Sequence, residues 1–243
     1  MSIPGTEQLE PPDVVREIAA GRPLTPVWRN ELGGLTFQIG DGAEREFVKW
    51  CPPHPEFDLE REATKLRWAA RFITVPPVLG VGPTVTGSWL HTRGIAGDTA
   101  ISPRWVAEPR TAVRAIALGL RALHDRLPVA DCPFSWSLPD RFARIIRPED
   151  RSLVAEAPEV DRLVVCHGDA CAPNTLVTTD GGWSGHVDLG SLGVADRWAD
   201  LAVATYSLGW NFPGRWEEEF LAAYGVEPDW ARIDFYRRLW DAT

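Results

Sequence analysis

The chain has 243 residues, 44% hydrophobic and 24% charged, and a formal net charge of −9. That is enough chain for one large or two small folded domains. The acidity argues against a general nucleic-acid binder, which needs a basic surface, and suits a cationic small-molecule partner. No apolar run approaches the roughly 18 residues of a membrane span.

The N-terminal stretch MSIPGTEQLEPPD has neither a basic segment nor an apolar core, so it does not read as a secretory signal. Four scattered cysteines (51, 132, 166, 171) are too few for a disulfide scaffold and fit free or buried thiols in a reducing cytoplasm. Residues 13–20 predict a short helix. LTFQI (35–39) and EFVKW (46–50) predict a hairpin around a Gly-Asp-Gly turn. Residues 58–72 carry apolar side chains at helical spacing, and VPPVLGVG and SWLHT predict two more strands.

RGIAG (93–97) is a Gly-bearing connector and the expected lobe boundary, giving 1–93 and 94–243. Beyond it, Val106 to Leu127 predicts one long helix, and 135–162 reads as polar and mostly helical. LVVC (163–166) predicts a strand, and NTLVTT, DGG and WSGHVDL a hairpin. Three amphipathic helices follow, the first two ending near glycines. The expected fold class is α+β: a small sheet-bearing lobe, then a mainly helical one, with a polar loop at their junction.

The chemistry concentrates in VVCHGDACAPNTLV (164–177). An apolar strand breaks into His167-Gly168-Asp169, and Asn174 follows five residues after the Asp. Asp188 comes fourteen residues later, at a strand end before Gly190. If the hairpin folds back, Asp, Asn and Asp converge. Phosphoryl transfer wants that set: Mg2+ takes a few hard oxygens, which Asn174 and Asp188 offer, and Asp169 can accept or orient the proton of an attacking hydroxyl.

Only two of the 25 basic residues are lysines, Lys49 and Lys65, so a Lys at 49 inside a strand stands out against the default Arg. A compact ammonium there can reach phosphates if a helix carboxylate, Glu60 or Glu62, steadies it. LGGLT (32–36) offers Gly34 and Thr36 as phosphate contacts, beside the simpler reading of a turn.

HGDACAPN, HVDLGSLGVADRWADLA and the final FYRRLWDAT resemble the aminoglycoside phosphotransferases, nearest to the 3′- and 3″-phosphotransferases. EFVKW, EREATKLRW and DCPF (131–134) support the resemblance. It implies a bilobal protein-kinase-like fold with a nucleotide cleft between the lobes, and transfer from ATP, or GTP, with Mg2+. The acceptor implied is an aminoglycoside hydroxyl, and the outcome antibiotic resistance. It further implies Asp169 as the catalytic residue, Asn174 and Asp188 as metal ligands, and Lys49 on the nucleotide phosphates. Glu62 rather than Glu60 would pair with Lys49, since it stands six residues before Trp68. Backbone groups near Arg93 and Ile95 would hold the adenine edge. Arg197, Asp241 and the Thr243 carboxylate would face the substrate, and His167 would brace the loop. No obligate protein partner, nucleic acid or membrane is implied.

The chain departs from the family in lacking a strong Gly-rich phosphate loop, in its short segment between DCPF and VVCHGD, and in a tail ending Asp-Ala-Thr. A kinase of another hydroxylated metabolite therefore stays open, as does a nucleotide binder without transfer activity. A metal-dependent hydrolase built on His167, Asp169, His186 and Asp188 is the rival from a different class. Zinc at Cys166 and Cys171 has weaker support than buried thiols. Of the twelve Trp, Trp68, Trp198 and Trp240 are expected in the core, whereas Trp136, Trp183 and Trp210 are candidates for stacking on a sugar. Glu217, Glu218 and Glu219 read as a solvated helix face, with Arg197 alternatively an ion-pair partner of Asp196 or Asp200.

Overall fold

A computed structural model describes residues 9–243. The stretch read as lacking a secretory signal begins in residues 1–8, outside the described residues. The chain divides into two compact units, Met1–Ala96 and Gly97–Thr243, against the expected 1–93 and 94–243. The connector stays with the first unit because Gly94 N–H donates to Arg45 O at 2.8 Å and Arg45 Nη2 donates to Ile95 O at 2.7 Å.

The first unit holds helix α1 (Asp13–Ala19), strands β1 (Leu24–Arg29), β2 (Leu35–Ile39) and β3 (Glu46–Cys51), helix α2 (Leu59–Ala69), and strands β4 (Val78–Thr84) and β5 (Gly87–Arg93). The five strands form one sheet in the order β1-β2-β3-β5-β4. The expected hairpin is present, with Leu35 opposite Trp50 and Ile39 opposite Glu46. Strand β1 was not expected; its Pro26 and Arg29 obscure the alternation, and it pairs with β2 through a bulge between Pro26 and Trp28. Phe37, Ile39 and Val48 pack with Val15 and Ala19 of α1 to form a small core. Helix α2 starts where the Asp58 side chain accepts the Arg61 N–H at 2.8 Å, one of the donors that a helix N-terminus leaves open.

The second unit holds strand β6 (Asp98–Thr99), helices α3 (Pro103–Ala107), α4 (Pro109–Arg126) and α5 (Leu138–Phe142), and strands β7 (Leu163–Cys166), β8 (Thr175–Val177), β9 (Trp183–His186) and β10 (Gly193–Asp196). Helices α6 (Trp198–Asn211), α7 (Glu217–Tyr224) and α8 (Trp230–Ala242) complete it. Two expectations need correction. The helix expected over 106–127 is broken at Glu108, because Pro109 cannot continue the preceding hydrogen-bonded turn and starts a new helix instead. The stretch 135–162 is not mostly helical: it contains only α5 and a 3-10 segment, Pro148–Val154, each with a proline in its first two positions and separated by irregular chain.

Helix α6 also runs past Gly209 to Asn211, whereas α7 stops at Gly225, whose φ of 90° is the left-handed cap that glycine adopts freely. The core of this unit gathers Trp105, Ile116, Leu120, Val164, Leu201, Phe220 and Tyr236. Full burial of each such side chain contributes about 1.5–3 kcal/mol. Among the described residues no helix is long and apolar enough to cross a membrane.

Candidate active site

In the second unit β7 pairs antiparallel with β10, Cys166 opposite Gly193, while β8 pairs with β9 and with β6. The loop after β7 therefore leaves one small sheet and enters the other as a 3-10 turn, Ala172–Asn174. Gly168 turns it with φ 82°; a Cβ there would stand 2.2 Å from Ser191 O, so only glycine fits.

The convergence expected from spacing is present. Asn174 Nδ2 donates to the Asp169 carbonyl at 3.0 Å and to Asp169 Oδ2 at 3.2 Å, which turns the amide oxygen of Asn174 away from Asp169. Asp169 Oδ1 is buried and has no hydrogen-bond partner. Val187 N donates to Asn174 O at 3.0 Å, and His167 Nε2 donates to Val187 O at 3.0 Å. Asp188 follows immediately, in the left-handed region at φ 60°, which Asp tolerates better than most residues. Burial pushes the Asp169 carboxyl above its ordinary range and the nearby Asp188 charge adds to this, against the opposing pull of Cys171, His167 and Asn174. Burial and Asp169 likewise keep the Cys171 thiol protonated.

The loop is anchored from beneath by Asp200 of α6, which is fully buried. It accepts the N–H of His167 at 2.6 Å, that of Gly168 at 2.8 Å, and His124 Nε2 at 2.9 Å. Tyr224 closes the chain, its hydroxyl 2.8 Å from His124 Nδ1. Ser207 Oγ holds the loop's far side by accepting the Ala172 N–H at 2.9 Å, and Asn211 Nδ2 bonds Ser207 in turn. Sequence reasoning missed these supports. An Asp inside the apolar run WADLAVAT was the available signal for Asp200.

Asn174 and Asp188 bring oxygens of the kind a hard cation takes, and the committed amide nitrogen of Asn174 leaves Oδ1 as its available ligand. The rival hydrolase set does not assemble. Both ring nitrogens of His167 serve backbone groups, Asp169 N and Val187 O, and His186 is buried with its Nδ1 3.3 Å from Thr175 Oγ1. Among the described residues one His/Cys/Asp/Glu trio comes within reach of a single ion, His124, Cys166 and Asp200. All three are buried; His124 and Asp200 are held in the anchoring network, and burial holds the Cys166 thiol in its protonated form. Cys171, the other proposed zinc thiol, is outside that trio, and none of the four cysteines is in a disulfide.

In the first unit Lys49 lies on β3 opposite Thr36 of β2 and Leu90 of β5. Its Nζ meets both carboxylate oxygens of Glu62, at 3.0 and 2.9 Å, and Glu62 is only 6% exposed. Glu62, rather than Glu60, is thus the partner. Gly34 belongs to the turn between β1 and β2, its N–H held by Asn30 Oδ1 at 2.6 Å. Arg93 N–H donates to Pro77 O at 2.9 Å, and the Ile95 carbonyl takes Arg45.

The three residues expected on the substrate side have three different surroundings. Arg197 pairs with Asp161, Nε to Oδ2 at 2.6 Å, and not with Asp196 or Asp200; it lines a groove with Trp198, Trp230 and Arg232. Asp241 lines a different cavity of about 190 Å³ with Arg147, Asp150 and Arg238. Thr243 Oγ1 accepts from the buried Arg141, which also lies over the Trp136 ring at 4.6 Å. Of the stacking candidates, Trp136 is buried, Trp183 is half-buried against Arg126, and Trp210 is exposed. Trp68 and Trp198 are in the core as expected, and Trp240 is half-buried.

Comparison with known proteins bears on this geometry. The family model described as the phosphotransferase enzyme family matches residues 29–236. An aminoglycoside 3′-phosphotransferase of Streptomyces fradiae is 36% identical over 86% of this chain and 91% of its own. A streptomycin 3″-kinase of Streptomyces griseus is 33% identical over 88% of this chain and 89% of its own. Among solved structures, an aminoglycoside 3′-phosphotransferase of type VIII superposes with a TM-score of 0.78 at 28% identity, over 95% of this chain and 97% of that one. The aminoglycoside phosphotransferase APH(3″)-Id of Streptomyces rimosus, solved with ADP and streptomycin, gives 0.70 at 29% identity, over 93% and 94%. The expected kinase-like α+β fold is therefore present, and the chain belongs to the phosphotransferase enzyme family.

Proposed function

We propose that the protein transfers the γ-phosphoryl group of ATP to a hydroxyl of an aminoglycoside, at a 3′- or 3″-type position, and so confers resistance. The observation that carries this reading is Asp169: a carboxylate held by the Asn174 amide, with one oxygen buried and without a partner, beside a second carboxylate at Asp188. The names of its relatives, and the ADP and streptomycin bound by one of them, supply the donor and the acceptor class.

In the proposed reaction the acceptor oxygen bonds to the γ-phosphorus as the bond from that phosphorus to the β–γ bridging oxygen breaks. The bridging electron pair leaves with ADP, and the hydroxyl proton passes to Asp169. A carboxylate raised above its ordinary range holds that proton better than an unperturbed one. Asn174 Oδ1 and Asp188 would hold Mg2+, which when bound neutralises developing phosphate charge. Lys49, steadied by Glu62, would hold the nucleotide phosphates, with Thr36 opposite it across the sheet, Gly34 two residues before Thr36, and the Arg93–Ile95 backbone on the base. GTP could replace ATP through the same phosphate contacts.

On the substrate side the reading assigns Asp241 and Thr243 to the ammonium groups and leaves Arg197 a structural role through Asp161. Four cysteines without a disulfide suit a reducing compartment, and we assign the protein to the cytoplasm on that ground. The test is a phosphotransfer assay with Mg2+ and ATP or GTP against kanamycin, neomycin, streptomycin and hygromycin, with product masses recorded. One drug should gain a single phosphoryl group, and Asp169→Ala should abolish the gain while nucleotide still binds. Turnover by Asp169→Ala at the wild-type rate would sink the mechanism. Nucleotide binding with no drug modified would move the acceptor to another hydroxylated metabolite.

A further inference from the structure

The C-terminal unit carries a contiguous aromatic patch. Tyr206 and Trp210 stand one turn apart on α6 with ring centroids 4.4 Å apart, and Trp240 of α8 lies 6.0 Å from Trp210. Trp210 is 53% exposed. A single exposed aromatic needs no explanation, but Trp210 stands open against two half-buried rings, Tyr206 and Trp240, which together make an apolar surface that a ligand can cover. The guanidinium of Arg237 lies 5.0 Å from the Tyr206 centroid, so the cluster already takes a cation on one ring, while Trp210 remains open to solvent.

Two further observations say what covers it. The first is charge. Asp241 follows Trp240 in α8 and is exposed, so an acidic group borders the patch. The second is position. Ser207 lies between Tyr206 and Trp210 on α6, and its hydroxyl accepts the Ala172 N–H three residues after Asp169. Trp210 is then only three residues, about 4.5 Å of helix rise, beyond a direct contact with the loop that carries Asp169.

The geometry points to Trp210, backed by Tyr206 and Trp240, as a shelf on which a cationic ring of the acceptor lies, with Asp241 as its counter-charge. The inference rests on the proposed aminoglycoside acceptor and adds how this chain holds it. A saturated amino sugar or aminocyclitol offers a C–H face that packs on indole, and an ammonium or guanidinium group drawn to the negative face of the ring. The site selects for a cation mounted on a ring, since a free cation lacks the face that covers Trp210. Trp230, the other exposed Trp of this unit, is not part of this ring cluster and lines the groove with Arg197.

The test compares the wild type with Trp210→Ala and Trp210→Phe, using kanamycin and streptomycin as acceptors and ATP as donor. The acceptor's KM in Trp210→Ala should rise by about tenfold, with kcat changing far less and the KM of ATP unmoved. Trp210→Phe should recover most of the loss, since a phenyl ring keeps a stacking face. An unchanged acceptor KM in Trp210→Ala, with the drug still phosphorylated, overturns the shelf and leaves the reaction standing. A wild type that phosphorylates no aminoglycoside overturns the functional reading itself, and the shelf with it. Sedimentation of both proteins covers the remaining occupant: a dimer that Trp210→Ala splits, with acceptor KM unchanged, assigns the patch to a second copy and overturns the proposal.

Discussion

Asp200 accepts the main-chain N–H of His167 at 2.6 Å, across 33 positions of sequence. The same carboxylate accepts Gly168 N–H on its other oxygen and His124 Nε2 on the first, so three donors converge on one acceptor-only side chain. An amide cannot replace it, because one of its two ends donates. Asp200→Asn therefore leaves buried N–H groups facing an NH2. We expect a loss of about 3 kcal/mol of stability, of the order seen when one side of a buried charged network is removed. Urea denaturation measures it; a midpoint within error of the wild type would show that Asp200 is not the anchor.

The same residue fixes the sign of a pH effect. Burial alone pushes the Asp200 carboxyl up, but the hydrogen bond and charge of His124 and the Gly168 amide outweigh it, and the net shift is below 3.8. The folded value thus lies below the unfolded one. Between the two, the unfolded chain binds a proton that the folded chain refuses, so stability rises with pH there. The contribution is complete above 3.8 and disappears as pH falls through the folded value. The stability gap between wild type and Asp200→Asn should therefore narrow on acidification through that window. A gap that widens as pH falls contradicts the assignment.

Gly168 is tested by a methyl group. At φ 82° any other residue is strained, and the added Cβ would overlap Ser191 O at 2.2 Å. Gly168→Ala should lose at least about 2 kcal/mol from strain and overlap together. It should also displace Asp169, so phosphotransfer should fall further than stability requires. Thermal melting and turnover measured on the same preparation separate the two effects; a variant with wild-type values of both would mean that the turn relaxes freely.

What the sequence made legible was local. Asp169, Asn174 and Asp188 were readable because one short loop and one hairpin bring them together, and a hairpin announces itself by its turn. Lys49 was readable because lysine is scarce in this chain, whereas the helix offered Glu60 and Glu62 alike and only the family resemblance, through the distance to Trp68, favoured Glu62. Asp200, His124 and Ser207 were not, since their partners are backbone amides far away in sequence, which leave no pattern in side-chain identity. Strand β10 escaped for a related reason: GVAD is four residues long and pairs with β7 only after the intervening hairpin has closed. In 135–162 polar composition resembles a solvated helix surface, while Pro139 and Pro148 permit only short helical starts. Arg197 shows the limit of reading a role by position, since Asp161, which takes its guanidinium, lies 36 residues away.

Lys49 and Glu62 allow the fold to be separated from the reaction. Both carboxylate oxygens of Glu62 lie within 3.0 Å of Lys49 Nζ, and Glu62 is nearly covered. Lys49→Arg keeps a cation that pairs well with a carboxylate through two parallel N–H groups, so the melting temperature should hold. The planar guanidinium does not reproduce a compact ammonium on a flexible stem, so nucleotide use should still suffer. We expect the kcat/KM for ATP to fall by at least about tenfold, equivalent to about 1.4 kcal/mol of transition-state stabilisation. Glu62→Gln removes the charge that steadies Lys49 and should lower the same ratio, with some loss of stability because the ammonium is left without its counter-charge. Equal kcat/KM for ATP in the wild type and Lys49→Arg would make the pair a structural brace of the sheet and helix, and would move the phosphate contact to another residue of the first unit.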